Sequence, residues 1–206
     1  MNDQRGLLIV LSGPSGAGKD AIMRLAQGRR PSLRRSISVT TRPPRPGEVE
    51  GREYFFCAEE EFRQRAARGE FLEWALYLGH LYGTPRSWVK ENLAAGGEVV
   101  LEIDVQGART VAESHPDPVL IFVAPPSWDA LAERLRGRQT ENEQELRRRL
   151  EHAKREWQEV CEGRLFHYVI ENDRLEEAVH CFHAIVAAEH CRRERVRLPA
   201  LEDDRG

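Results

Sequence analysis

Long hydrophobic runs are missing from this sequence, and with them any segment able to cross a bilayer as a helix. The most apolar stretch near the start, LLIVL at residues 7–11, follows no basic region and runs into glycines rather than a cleavage site. A spanning helix needs about 20 apolar residues, so the expectation is a soluble, cytoplasmic protein with no membrane partner. Cysteine is scarce too, and Cys57, Cys161, Cys181 and Cys191 show no C-x-x-C pairing. A chain of 206 residues can bury enough surface to fold without covalent staples, so reduced thiols are expected. Neither sign of charge prevails, since 31 Lys and Arg stand against 34 Asp and Glu, a formal net charge of -3. That balance gives no global attraction to nucleic acid, and any phosphate affinity has to be local. No internal repeat or low-complexity tract is present.

What is present is alternation. LLIVLS, EVVLEI, PVLIFVA and FHYVIEN read as short strands, each followed by an amphipathic segment such as AIMRLAQG, VQGARTVAES, SWDALAERLRG or LEEAVHCFHAIVAAEHCRRE. Apolar runs without polar alternation suit strands buried on both faces, and intervening helices suit right-handed crossovers. The expected fold class is α/β, with a parallel core sheet flanked by helices. Two regions interrupt the pattern. Residues 35–85 hold the Pro- and Gly-punctuated TTRPPRPGEVEGREYFF, a short charged helix around EEEFRQRAARG, and FLEWALYLGHLYGTP, which alternates like small antiparallel strands. Residues 134–156 are dense in arginine, a composition that by itself describes a solvated helix face.

The first strand runs into GPSGAGKD. Gly13, Pro14, Ser15, Gly16, Ala17, Gly18 and Lys19 give the spacing G-x-x-x-x-G-K between strand and helix. Backbone N–H groups of such a loop converge on an anion at the positive end of the helix dipole, and the lysine neutralises the β and γ phosphates of a nucleoside triphosphate. The pattern then asks for a hydroxyl, where this chain has Asp20. An acid in the first helical turn is favoured by the dipole whatever the loop binds. A carboxylate is also a hard oxygen ligand for Mg²⁺, directly or through water, so both readings stay open.

In the interrupting region Arg42 and Arg45 lie three apart in a stretch stiffened by Pro43, Pro44 and Pro46, which lowers the entropic cost of presenting two guanidiniums to one phosphate. Ser38, Thr40, Thr41, Arg42, Pro44, Arg45, Gly47, Glu48, Gly51, Tyr54 and Phe56 together spell S-x-T-T-R-x-P-R-x-G-E-x-x-G-x-x-Y-x-F. That run closely resembles the GMP-binding signature of guanylate kinases. GEFLEWA, LYGTP, EIDVQG, APPS and the arginine-rich stretch resemble the family in the same order, so the similarity covers nearly the whole chain. It implies one P-loop NTPase domain over residues 1–206, with core segments at about 1–34, 86–133 and 157–206, a small GMP-binding insert at about 35–85 and a helical lid at about 134–156.

Carried over by position, the resemblance implies that Arg42, Arg45, Tyr54 and Tyr82 hold the GMP phosphate. Glu73 meets the guanine edge, and Ser38 and Thr84 complete the polar ring. Glu102 faces the GMP side of the cleft. Residues 13–20, with Arg134 and Asn172, serve ATP. Lys19, Arg42, Arg138 and Arg149 act on the transferring group, and Asp20 and Asp104 attend Mg²⁺. Gln139 departs from the glycine usual after Arg138. ATP and GMP are then the small-molecule partners, the protein being a monomer or homodimer that phosphorylates GMP and dGMP.

Two other classes stay open at this point. Ribose 1,5-bisphosphate phosphokinases also resemble guanylate kinases and can carry Asp after the loop lysine, and guanylate-kinase-like binding modules have lost catalysis. The intact basic signature with Glu73 argues against the first, because a sugar bisphosphate has no guanine edge to read. Gly13, Gly18, Lys19 and the lid arginines argue against the second. The stripe of His180, His183, His190 and Cys191 reads as a packed amphipathic helix rather than a metal site, and Trp74, Trp88, Trp128 and Trp157 as packing residues.

Overall fold

The computed structural model describes residues 6–137 and 143–196. Arg138 and Gln139 lie outside the described residues. Five strands form a parallel sheet in the order β2 (Leu33–Arg35), β7 (Glu98–Glu102), β1 (Leu7–Ser12), β8 (Val119–Ala124) and β9 (Tyr168–Glu171). The register aligns Leu7 to Leu11 with Glu98 to Glu102, and Ile9 to Ser12 with Val119 to Phe122. The run at β1 is apolar on both faces because both are covered. Leu7, Ile9 and Leu11 pack with Ile22 and Met23 of α1 (Lys19–Arg29) and with Phe182 and Val186 of α7 (Leu175–His190). Leu8 and Val10 face Val89 of α3 (Arg86–Ala94) and Val111 of α4 (Val105–Ser114). This is the period of two expected of a strand between two helical layers.

The second sheet is small and mixed, ordered β4 (Phe55–Phe56), β3 (Val39–Thr40), β6 (His80–Pro85), β5 (Phe71–Tyr77), and α2 (Glu59–Ala67) covers it. Phe62 of α2 stacks on Phe71 with ring centroids 4.5 Å apart, closing a core with Val39 and Leu81. Tyr77 pairs with His80 across the two-residue turn Leu78-Gly79, whose φ values of 49° and 85° are those of a primed hairpin turn. A bulge interrupts this hairpin: Phe71 opposes Pro85 and Trp74 opposes Gly83, so Leu72 and Glu73 together face Thr84. The remaining helices are α5 (Trp128–Arg136) and α6 (Glu143–Glu162), which meet through Leu131, Leu135 and Ala153.

Several local expectations need correction. The strand β2 and the helix α3 were not apparent from sequence, β2 because LRR has no apolar run and α3 because RSWVKENLA carries only a weak stripe. β9 is an edge strand with Val169 62% exposed, so it is buried on one face only. Trp88 and Trp157 pack inside, while Trp74 and Trp128 pack by one edge only, on Phe62 and Trp157, and stand 47% and 41% exposed. The histidine stripe is used for packing and polar anchoring: His183 Nε2 lies 3.3 Å from the Ala26 carbonyl and His190 Nε2 lies 2.6 Å from Glu98 Oε1.

Glu98 ties the far end of the sheet together, accepting from Arg30 Nε and Ser32 Oγ, each at 2.8 Å, as well as meeting His190. Burial works to raise this carboxyl, and the hydrogen bonds from Arg30, Ser32 and His190 outweigh it, holding it below the usual carboxylate range. A depressed carboxylate contributes stability that is present above its unfolded pKa of about 4.3 and lost as pH falls through the folded value. Glu98→Gln is therefore expected to cost about 2 kcal/mol at pH 7 in urea unfolding, with the difference from wild type narrowing below about pH 4.

Candidate active site

The carboxyl ends of parallel strands are where such sheets place ligands, and the glycine loop leaves β1 there, between β7 and β8. Its backbone has positive φ at Gly13, Gly16 and Gly18, and at the first and last of these a side chain would also collide. Gly13 has φ 140°, and a Cβ there would sit 2.3 Å from the Val123 carbonyl oxygen. Gly18 caps α1 in the left-handed region at φ 94°, and a Cβ would meet Asn172 Nδ2 at 2.2 Å. Asn172 is buried after β9 and donates from Nδ2 to the Ala17 carbonyl at 2.8 Å, while Arg134 donates to the Asn172 carbonyl at 2.8 Å. Both residues thus brace the loop from beneath. Lys19 curls along it, with Nζ donating to the Gly13 and Pro14 carbonyls. Arg149 of α6 reaches Ser15 Oγ at 3.3 Å and is 5% exposed, so the arginine-rich helix touches the loop.

Across the cleft, Thr40 and Thr41 tie the end of β3 to Leu81 and aim the basic loop. Thr40 Oγ1 donates to the Leu81 carbonyl and accepts from the Arg42 N–H, and Thr41 Oγ1 accepts from the Leu81 N–H. Arg42 is buried, lies 5.3 Å above the Tyr54 ring, and donates to both oxygens of Glu48 at 2.8 and 2.9 Å. Glu48 also accepts the Arg45 backbone N–H at 2.7 Å, so one carboxylate fixes the whole turn. Burial lowers the Arg45 pKa, and the charges of Arg42 and Arg149 lower it further, which means that three guanidiniums converge on one region. Tyr54 and Tyr82 meet edge to face at 5.9 Å beside them. Burial, then Tyr82 and Glu102, push the Tyr54 hydroxyl up to about 12, so it stays a hydrogen-bond donor.

Glu73 sits in the bulge and is 5% exposed, with Thr84 Oγ1 donating to its Oε1 at 2.5 Å. Continuing the pairing of Val39 with Gly83 places Ser38 opposite Thr84, on the same side of the insert. Glu73 Oε2 lies where a side chain on Gly107 would begin, since a Cβ there would be 2.7 Å away. Gly107 in turn donates its N–H to Asp104 Oδ1 at 2.8 Å, capping α4. Asp104 Oδ2 is buried with no hydrogen-bond partner among the described residues. Glu102, at the end of β7, has Oε1 2.8 Å from Arg35 Nε, an ion pair without hydrogen-bond alignment.

Of the residues singled out from sequence, Arg149 reaches the loop at Ser15, Glu73 meets Gly107, and Asp20 and Glu102 share Arg35, while Arg138 lies outside the described residues. Three contributors were passed over. Glu48 was visible as part of the signature, but only its bidentate contact reveals its task. Arg35 lies on an unrecognised strand. Tyr77 packs against His152 of α6 with centroids 4.7 Å apart, linking the insert to the arginine-rich helix.

A family model described as Guanylate kinase matches residues 5–189. The chain belongs to the guanylate kinase family. It is 50% identical to a guanylate kinase of Symbiobacterium thermophilum, with 98% of this chain and 94% of the relative aligned. It is 47% identical to one of Caldanaerobacter subterraneus, covering 93% and 92%. Among solved structures, a guanylate kinase from Anaplasma phagocytophilum superposes with a TM-score of 0.74 at 34% identity, covering 93% of this chain and 90% of the other. The two rival classes are not favoured by these matches.

Burial raises the Glu73 carboxyl to about 7, and the Thr84 hydrogen bond works in the opposite direction. An acid with a raised folded pKa gives stability that is present below its unfolded pKa, about 4.3, and lost as pH rises through the folded value. Two outcomes are expected. A carboxyl ¹³C titration finds the Glu73 midpoint near 7 and still higher in Thr84→Val. Urea unfolding between about pH 4.3 and 7 loses this part of its pH slope in Glu73→Gln.

Proposed function

We propose that the cleft carries out in-line transfer of the ATP γ-phosphoryl group to the phosphate of GMP or dGMP, giving ADP and GDP or dGDP. The chain is an ATP:GMP phosphotransferase, a nucleoside monophosphate kinase. The observation that carries the substrate choice is Glu73, a carboxylate buried by a β-bulge and already paired on one oxygen with Thr84. Guanine offers N1–H and its 2-amino group as adjacent donors, whereas adenine turns a lone pair towards the carboxylate. Leaving a buried acceptor unpaired is costly, so the wrong base is strongly rejected. A sugar bisphosphate has no such edge, which disfavours the ribose 1,5-bisphosphate alternative.

In this reading Arg42, Arg45, Tyr54 and Tyr82 hold the acceptor phosphate, with Ser38 and Thr84 beside the base and Glu102 on the same side. The loop N–H groups of residues 13–20 and Lys19 take the β and γ phosphates. Arg134 and Asn172 shape the ATP side through the loop that they brace. Arg149 and Arg138 come over the transferring group from the lid. A phosphate monoester has a second pKa near about 6, so the acceptor is already a nucleophile at neutral pH and no general base is needed. The chain has to bring two anions together, neutralise the charge that moves between them and keep water out. The division into core, insert at about residues 35–85 and lid at about 134–156 describes the parts that close to do so. The partners are nucleotides, the compartment is the cytoplasm, and the chain works as a monomer or homodimer.

The residues fit Mg²⁺ on one side of the cleft. Asp104 offers a buried carboxylate oxygen with no hydrogen-bond partner among the described residues, and would hold the ion through Oδ2 or a water. Asp20 fits less well as a direct ligand, because Oδ1 is bonded to Arg35 at 2.9 Å and Oδ2 pairs with Arg24. When bound, the ion supplies charge neutralisation between the β and γ phosphates.

The purified protein with ATP and Mg²⁺ is expected to form ADP with GMP and dGMP, but not with AMP or ribose 1,5-bisphosphate, in a coupled assay. Absence of turnover with GMP overturns the reading. Because guanine binds the ionised carboxylate, KM for GMP is expected to fall several-fold from pH 6 to pH 8. In Glu73→Gln the preference for GMP over AMP drops by at least about tenfold while KM for ATP changes less. Equal losses on both nucleotides remove Glu73 from the base.

A further inference from the structure

The loop's final residue is a carboxylate, placed where a polyphosphate has to lie, and a second acid, Glu102, ends the adjacent strand. Two negative groups at that seam would repel both substrates. The structure gives them a common partner. Arg35, the last residue of β2, donates from Nη1 to Asp20 Oδ1 at 2.9 Å and brings Nε to 2.8 Å from Glu102 Oε1. Its side chain is 19% exposed and that of Glu102 10%, so solvent screens the Glu102 arm weakly, whereas Asp20 is 46% exposed and its arm is screened more. Arg42 is committed to Glu48. Arg24 meets the outer oxygen of Asp20, but its side chain is 71% exposed and leaves the inner one to Arg35.

The geometry points to Arg35 as a positioning residue for nucleotide binding: it bridges Asp20 and Glu102, cancels their charge towards the phosphates, and makes a carboxylate tolerable at the end of the phosphate loop. Neither carboxylate nor Arg35 needs to touch the transferring group. The electrostatics agree, for burial disfavours the Arg35 charge while Glu102 and Asp20 more than restore it, leaving its pKa raised. Glu102 is pushed upward by burial, with Arg35 and Lys19 opposing and Asp20 adding to the push. Tyr54 feels both Glu102 and Arg35, so the bridge links the triphosphate loop to the acceptor-phosphate side. A planar fork can serve two acids at once, which a lysine does poorly.

The role depends on the kinase reading, and the test separates the two. Binding of Mg²⁺-free ADP, in EDTA, is measured by calorimetry for wild type, Arg35→Met, Asp20→Asn and the double variant, alongside KM for ATP and kcat. Arg35→Met is expected to weaken ADP and raise KM for ATP by about tenfold, with a smaller change in kcat. In the Asp20→Asn background the same replacement is expected to cost less than about threefold, because the charge to be cancelled is gone. Arg35→Lys is expected to fall between wild type and Arg35→Met. Equal losses in both backgrounds overturn the proposal. So does failure of Arg35→Met and Arg35→Gln to unfold cooperatively even with Asp20→Asn, which would assign Arg35 to the fold. If wild type binds ADP but does not turn over GMP, the kinase reading fails and the binding cycle still decides Arg35.

Discussion

The cleft depends on how closely the loop after β1 lies against the ends of β8 and β9. Gly13 and Gly18 have no side chain to hold the loop away from Val123 and Asn172, and the Asn172 amide closes the remaining gap by bonding to Ala17. With the loop seated this way, its N–H groups and the start of α1 face the same space as Lys19. Neighbouring groups are placed relative to that seat: Arg134 through the Asn172 carbonyl, and Arg149 of α6 through Ser15.

A second theme is that cations here are held by anions before any substrate arrives. Arg42 is clamped by Glu48 and Arg35 by Asp20 and Glu102, so their guanidiniums are oriented and their rotamer entropy is already spent. Burial and the charges of Arg42 and Arg149 lower the Arg45 pKa, so like charges meet beside these clamps. Preorganised charge of this kind is where catalysis of phosphoryl transfer resides, since little covalent chemistry falls to the protein.

The layered sheet was legible in the sequence because β1 and β8 are apolar almost throughout and β7 is apolar between its two terminal glutamates, and the loop was legible because its chemistry is written in adjacent residues. The signature from Ser38 to Phe56 made the basic turn readable as well. What escaped reading depends on distance in space. β2 is three residues with two arginines, a strand only because Leu33 to Arg35 aligns with Glu98 to Val100. The bulge at Leu72 and Glu73 leaves no compositional mark, yet it is what turns Glu73 towards Thr84 instead of letting strict alternation decide its face. Glu48 and Arg35 are ordinary surface types in a linear reading, and their importance appears only when their partners are known.

Gly107 gives the Glu73 carboxylate a smooth seat. Glu73 belongs to the small sheet and Gly107 to a helix of the large one, and the two meet at a point where the helix presents backbone alone. A joint without a protruding side chain has no catch, so the small sheet rests on α4 at this point without interlocking with it. The same glycine also donates the N–H that caps α4 through Asp104. Glu73 and Asp104 therefore lean on the same residue, one on the space beside its Cα and the other on its N–H.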